Sequence, residues 1–316
     1  MLKKTVCALL LTSLLLSVPF AKAKELKDYT RNEDTSIKIE YDNTMESLPY
    51  YSEYVKAEKD VPPISDSIVL KGEEALSDES TDIKTGQEKD GSVSLLMEEG
   101  RSYSWNFSLE QAGYACVYVT YIPLENNTNS ITRELLFDGA APFQESRTIS
   151  FDRCYYDDGT VKKSATGDDI RPPSGEKFAW SKTGLYDAGG FYDLPLQYRL
   201  SSGNHTLTLA FISGGMKIKE IEICAPPVIP TYSEYVETLP SLTKASQENA
   251  FSKEAENGCI RNDPSIRSVC DNDALTTPYS AGDYRLNTLG DERWKSGNQW
   301  AQWTDRKSTR LNSSHT

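Results

Sequence analysis

Polar and apolar residues alternate along several short stretches of this chain. Lys217, Lys219 and Glu222 interleave with Ile218, Ile221 and Ile223, so that one face is wet and the other dry. Residues 92–97, 102–107, 115–122, 134–137, 206–212 and 216–223 are short and rich in apolar, aromatic or β-branched side chains, and they read as strands. Asp138-Gly139 and the run from Ser201 to Asn204 place turn residues between such stretches. No long stretch has a helical period. The pattern predicts an all-β protein, an antiparallel β-sandwich of about eight strands with jelly-roll connections.

A pentapeptide repeats unchanged. Tyr51-Ser-Glu-Tyr-Val55 returns as Tyr232-Ser-Glu-Tyr-Val236, and each copy is followed by a glycine turn with closely spaced aromatics, around Trp105 and around Trp303. Duplication of a module is the simplest source. The expected plan is a lead-in over 24–49, a sandwich over 50–230, and a connector with a truncated second sandwich over 231–304. A partial sandwich lacks an opposite sheet for Val269, Leu286, Trp300 and Trp303, so residues 239–304 are expected to pack poorly.

The two ends read differently. Lys3 and Lys4 precede an apolar run from Thr5 to Phe20, and Ala21-Lys22-Ala23 offers a small-x-small cleavage site. Residues 1–23 are therefore expected to be a secretory signal peptide, the run being shorter than the ~20 residues of a spanning helix. Residues 305–316 match one reading frame of a translated sequencing adapter, and are expected to be an artefactual tail. On that reading the natural chain continues beyond Thr304.

Charge and chemistry narrow the function. Lys and Arg number 34 against 47 Asp and Glu, a net charge of −13, which argues against nucleic acid because phosphate contacts need a basic surplus. Without the tail, His205 is the one histidine, leaving little for histidine catalysis. Cys116, Cys154, Cys224, Cys259 and Cys270 contain no C-x-x-C, so zinc and redox motifs are unsupported. Cys116 and Cys224 read as buried thiols or a bridge, and Cys259 and Cys270 as a local pair or free. No pair of carboxylates is singled out for glycoside hydrolysis, and the chain is expected not to be an enzyme. Asp157-Asp158-Gly159 and Asp168-Asp169 leave a structural calcium ion open, without the full twelve-residue calcium signature. No other cofactor is expected.

The long excursion over 152–194 concentrates aromatic and acidic residues in one loop. Sugar rings stack on flat side chains while their hydroxyls bond to nearby acceptors. Trp180 is the candidate stacking platform, with Tyr155, Tyr156 and Tyr192 beside it and Asp157, Asp169 and Asp187 as acceptors. The alternative is that Trp180 caps the hydrophobic core. Trp105, on a strand, reads as core.

These pieces resemble a known family. The Asp138-Gly139-Ala-Ala-Pro-Phe143 turn, the stretch from Asp169-Ile-Arg-Pro172 to Trp180, and Gly203-Asn-His-Thr-Leu-Thr-Leu209 carry the likeness in the first module. Thr277-Pro-Tyr-Ser280, Leu286-Asn-Thr-Leu-Gly290, Trp294 and Gly297-Asn-Gln-Trp-Ala-Gln-Trp303 carry it in the second. Together they resemble the tandem carbohydrate-binding-like jelly rolls that precede the body of large secreted bacterial solute-binding proteins of sugar-type ABC transporters. The likeness spans about Tyr50 to Thr304. Two features depart from it: the usual lipoprotein cysteine is missing, and the solute-binding body lies beyond Thr304. It implies a secreted, non-catalytic glycan-binding module at the bacterial cell surface. Carbohydrate would be its ligand, and the transporter's membrane components would be partners through the remaining part. Two alternatives stay open: an accessory region of a secreted glycoside hydrolase, and an adhesion or spacer module without a sugar ligand.

Overall fold

Two long strands carry the first sheet, β6 (Gly113–Pro123) and β16 (Met216–Cys224), antiparallel with Ile223 opposite Val117. Val117, Val119, Ile218, Ile221 and Ile223 supply the β-branched packing that a pleated surface favours. The outer edge of each is shared by two shorter strands. β6 pairs with β13 (Ser181–Gly184) and β14 (Gln197–Leu200). β16 pairs with β1 (Ile68–Lys71) and β4 (Val93–Met97), and β3 (Thr85–Gln87) closes that side. The second sheet runs in the order β2 (Leu76–Ser77), β5 (Tyr103–Leu109), β15 (Gly203–Ser213), β7 (Ile131–Phe137), β8 (Ile149–Phe151). This computed structural model describes residues 48–57, 61–77, 83–125, 127–239 and 254–303. The expected signal peptide and adapter-like tail lie outside them.

The chain crosses between sheets from β4 to β5, β5 to β6 and β6 to β7, and again from β14 to β15 to β16. That is the jelly-roll sandwich the alternation pattern predicts. Tyr103, Trp105, Leu135, Leu207 and Leu209 meet Leu95, Val117, Val119, Ile218 and Ile221 in one core. Trp105 is core, its indole N–H donating to the Lys71 carbonyl at 2.9 Å. The Asp138-Gly139 turn has both residues at positive φ, 53° and 83°, the geometry that suits a two-residue hairpin.

One inward position breaks the apolar rule. β7 buries Ile131, Arg133, Leu135 and Phe137 in alternation, and Arg133 is fully enclosed. Its guanidinium donates to the carbonyls of Thr132, Ser213 and Gly214 at 2.7, 2.6 and 2.9 Å, and lies 5.0 Å from the Phe211 ring centre. Burial pulls its pKa down to about 10, so it still carries charge at neutral pH.

The helix α1 (Tyr51–Lys56) holds the first copy of the repeat. Tyr51 packs at 4.9 Å from Phe143 and 4.7 Å from Tyr192, and burial pushes its pKa up to about 12. Its hydroxyl accepts the Gln197 N–H at 3.0 Å, and the Tyr54 hydroxyl accepts the Arg199 N–H at 2.7 Å. α2 (Tyr232–Thr238) holds the second copy and stands exposed.

Beyond the sandwich, β9 (Cys154–Asp157) and β12 (Ser174–Lys177) form a hairpin within the long excursion. β10 (Lys162–Lys163) and β11 (Asp169–Ile170) pair at its tip. β17 (Ile260–Arg261) then adds to β9, and β20 (Ala301–Gln302) to β17, giving a small sheet in the order β12-β9-β17-β20. β18 (Ser268–Val269) and β19 (Thr288–Leu289) pair nearby. Residues 254–303 are thus packed in part, where poor packing is expected of 239–304: Leu286 is buried and Val269 and Trp300 are half-buried, while Trp303 is 40% exposed. Cys259, Ile266 and Leu286 are buried. The physical reason is the free edge of β9, which gives β17 a backbone partner that an isolated fragment would lack. Cys116, Cys154, Cys224, Cys259 and Cys270 are all free thiols, with Cys224 directly opposite Cys116 across the β6–β16 pair.

Replacing Arg133 with Met fills the space but takes the charged donor away from three carbonyls. Chemical denaturation should show a loss of about 3 kcal/mol, since unsatisfied buried acceptors cost roughly 1–3 kcal/mol each and part is recovered by relaxation. A loss below about 0.5 kcal/mol, the range of ordinary surface substitutions, would show that the guanidinium is dispensable.

Candidate functional site

A cleft of about 930 Å³ opens where the excursion, the loop after β13 and residues 254–303 meet. Tyr155, Tyr186, Tyr192 and Trp300 supply its aromatic wall, and Asp152, Asp187, Asp193 and Asp263 its carboxylates. A second cleft of about 340 Å³ adjoins it, lined by Trp180, Lys177, Ile260 and Gln302. Asp152, Thr183 and Trp300 line both. Trp300 therefore forms the partition between them.

Long-range pairing fixes that partition. Trp300 directly precedes β20, its backbone N–H donates to the Asn262 side chain at 2.9 Å, and its indole N–H donates to Asp152 Oδ2 at 2.8 Å. Asn262 Nδ2 donates to the other Asp152 oxygen at 3.2 Å, and Tyr121 holds the Asp152 carbonyl at 2.7 Å. Each carboxylate oxygen retains a lone pair for a further donor.

Asp187 shapes the opposite side. Its carboxylate accepts the N–H groups of Gly189 and Phe191 at 3.1 and 2.8 Å, which closes a tight turn. Gly190 has φ 70°, and a Cβ there would sit 2.7 Å from the Asn298 nitrogen, so glycine is required for this loop to meet residues 297–298. Asn298 donates its side-chain amide to the Asp187 carbonyl. The turn leaves Phe191 with 84% of its surface exposed.

The residues expected from sequence divide into three groups. Tyr155, Tyr192 and Asp187 come together in the larger cleft. Trp180 lines the smaller one; it is half-buried, stands outside the core, and carries the Lys219 ammonium 5.2 Å from its ring centre. Tyr156, Asp157 and Asp169 line neither cleft. The Tyr156 ring covers Gly175 on the next strand. Asp157 pairs with the enclosed guanidinium of Arg261 at 2.8 Å. Asp169 pairs with Lys163 and accepts the Leu286 N–H at 2.9 Å. Asp152, Tyr186, Phe191 and Trp300 were not singled out by sequence. An aromatic next to paired Gly and Asp residues was the available signal for Tyr186 and Phe191. For Trp300 and Asp152 no local pattern exists, because their meeting depends on β17 reaching β9.

Of the calcium-like loop carboxylates, Asp157, Asp168 and Asp169 are likewise occupied. Asp168 accepts the Tyr284 N–H and the Thr166 hydroxyl at 2.8 and 2.7 Å, and hydrogen bonding holds its pKa below the usual carboxylate range. Among the described residues no group of three or more Asp, Glu, His or Cys side chains converges.

No protein-family model matches the chain, and no curated protein matches it. Solved structures do show likeness. A family 35 carbohydrate-binding module from Clostridium thermocellum is 12% identical, with 50% of this chain and 98% of that one covered and a TM-score of 0.30. The CBM35 of Cellvibrio japonicus Abf62 is 15% identical, with 50% and 92% covered and a TM-score of 0.30. A GH26-CBM35 β-(1,4)-mannanase from Podospora anserina is 13% identical, with 52% and 28% covered and a TM-score of 0.31. Scores this low leave ligand and activity undecided, and the sandwich stands on its own strand order.

Asp169 makes the acid response testable. Burial opposes its charge, but the Lys163 ammonium and the Leu286 N–H outweigh burial and hold its pKa below the usual range. A carboxyl depressed in the folded state stabilises the fold above its ordinary pKa, and that support fades as pH falls through the folded value. Asp169→Asn should therefore melt earlier than the parent at neutral pH. The gap should close below about pH 4, near the free carboxyl's pKa. A gap that is constant with pH would exclude the ion pair as its source.

Proposed function

We propose that this chain is an extracellular, non-catalytic glycan-binding module whose ligand lies in the double cleft on either side of Trp300. The observation that carries this reading is the composition of the cleft walls. Tyr155, Tyr186, Tyr192 and Trp300 line the larger cleft, and carboxylates and amides sit among them. Hydroxyl-rich rings present apolar C–H faces and many donors, and they suit such a surface better than a purely apolar or purely charged ligand does. Trp180, in the adjoining cleft, would receive a second sugar unit of an oligosaccharide. The site residues expected from sequence enter this proposal as Trp180, Tyr155, Tyr192 and Asp187, while Asp157 and Asp169 act as supports for the loop. Secretion rests on residues 1–23. The setting in a sugar-type solute-binding protein rests on the sequence resemblance alone, as does a transporter partner. The repeated pentapeptide supports reading 231–304 as the opening of a second module of the same kind.

The test is glycan-array screening of the wild-type chain, followed by calorimetry on the best oligosaccharide. Trp180→Ala and Trp300→Ala should each weaken binding by about tenfold, the equivalent of ~1.4 kcal/mol for a lost stacking contact. Trp180→Ala should leave the melting temperature within a degree or two of the parent, because its ring is outside the core. Absence of any glycan binding by the wild type at millimolar concentration would overturn the proposal.

A further inference from the structure

Asp152 is the one acid that lines both clefts; Asp187, Asp193 and Asp263 line the larger cleft alone. It directly follows β8, where the chain leaves the sandwich for the excursion. Its backbone carbonyl accepts the hydroxyl of the enclosed Tyr121 at 2.7 Å, which anchors the residue to the core.

The Asp152 carboxylate is held as firmly as its backbone. Trp300 Nε1 donates to one oxygen at 2.8 Å and Asn262 Nδ2 to the other at 3.2 Å. These two donors are tied to each other, because the Trp300 backbone N–H donates to Asn262 Oδ1 at 2.9 Å. The Asn262 amide also donates to the Asn298 carbonyl at 2.7 Å. The ring of contacts is closed and its donors are spent. Its acceptors are not. A carboxylate accepts about four hydrogen bonds, and each Asp152 oxygen has taken one.

Charge around the carboxylate limits what can complete it. Among the described residues no ammonium or guanidinium pairs with Asp152. The adjacent Arg153 turns instead to Glu176 at 2.5 Å and to the Asn129 carbonyl at 3.1 Å. A cationic ligand group would suit the carboxylate, but it would also meet Lys177 and Lys182 in the lining of the smaller cleft. Neutral O–H donors escape that conflict. Two of them side by side on one ring can satisfy both oxygens, as the parallel N–H groups of a guanidinium do. Because the carboxylate is already fixed, little further ordering is needed on binding.

We propose that Asp152 is a specificity-determining residue whose two oxygens take two adjacent hydroxyls of the pyranose unit lying against Trp300. The assignment rests on the glycan-binding reading above, and it adds which feature of a sugar is selected rather than only stacked. The unit at the partition must carry a free vicinal diol. A unit whose diol is consumed by a linkage or by acylation loses that recognition.

The experiment alters protein and sugar together, read by NMR titration of the full chain. The probes are the methyl pyranosides of gluco, galacto, manno and xylo configuration, with the monodeoxy forms of each one that binds. Asp152→Asn keeps the side-chain size and should weaken the parent glycoside about tenfold, in the range of a hydrogen bond to a charged group. For the monodeoxy forms that lack a hydroxyl facing Asp152, the same substitution should cost about twofold or less, because the two changes remove one interaction. Equal losses for the parent and for every deoxy form would overturn the proposal, since Asp152 would then act only by holding Trp300, and the glycan-binding reading would stand. The substitution also alters a partner of Trp300, so the wild type is followed in parallel through its Asp152 side-chain carboxyl carbon signal. That signal should move with the glycoside, while that of Asp90, an exposed carboxylate paired with Lys219, should not. An Asp152 signal unmoved by a bound glycoside would overturn the proposal. So would failure of every pyranoside to bind at high millimolar concentration, because a diol read on one unit is felt by a single sugar. An array oligosaccharide that still binds would in that case preserve the glycan-binding reading, and silence of both would end it.

Discussion

The outer edge of β14 offers the N–H groups of Gln197 and Arg199 to whatever lies beside it, and two tyrosine hydroxyls take them. The free edge of β9 is taken by β17. Unpaired strand edges are costly when buried and hazardous when exposed, and in this chain they are met by elements far away in sequence. Two features of the structure descend from that constraint. Pairing at β9 brings Trp300 to Asp152 and so creates the partition of the cleft. Capping at β14 gives the Tyr-Ser-Glu-Tyr-Val helix its seat.

The strands were legible because alternation reports a half-buried pleated surface directly. Residues 216–223 read as one wet and one dry face, and β16 has that pattern. The first half of β6 does not alternate. Gly113 through Val117 are buried on both faces, because the backbone around Pro62 and Ile64 meets Gly113 on one side and Pro195 meets Cys116 on the other. Arg133 was illegible for the opposite reason. Its position within β7 is inward, but a charged residue there is explained only by three carbonyls, two of which lie about eighty residues away.

The candidate site was half legible. Composition pointed to the excursion that lines both clefts, a long stretch dense in Tyr, Trp, Asp and Gly. It could not sort that loop's acids by duty. Asp157 and Asp169 share the excursion with Trp180, yet each faces a cation supplied by pairing: Arg261 from β17 and Lys163 from β10. Asp152 and Asp187, by contrast, bind neutral N–H donors and keep acceptor capacity toward the cleft. Local sequence carries no information on that difference, because it depends on which strand reaches which edge.

The two clefts also have different electrostatic characters, which bears on how an oligosaccharide would lie across them. The larger holds four carboxylates, and its Arg153 is already paired with Glu176. The smaller has Lys177 and Lys182 in its lining, beside a Trp180 ring approached by Lys219. Lys182 and Lys219 are themselves paired, with Glu222 and Asp90, which moderates their field. A neutral chain of sugars crosses such a boundary without an electrostatic cost, since its hydroxyls donate on the acidic side and accept on the basic side. A uniformly anionic chain would gain at Trp180 and lose at Asp152 and Asp187. A uniformly cationic chain would face the reverse. On the proposed reading, the arrangement would therefore disfavour uniformly charged chains of either sign and favour a neutral chain long enough to reach both Trp180 and Trp300.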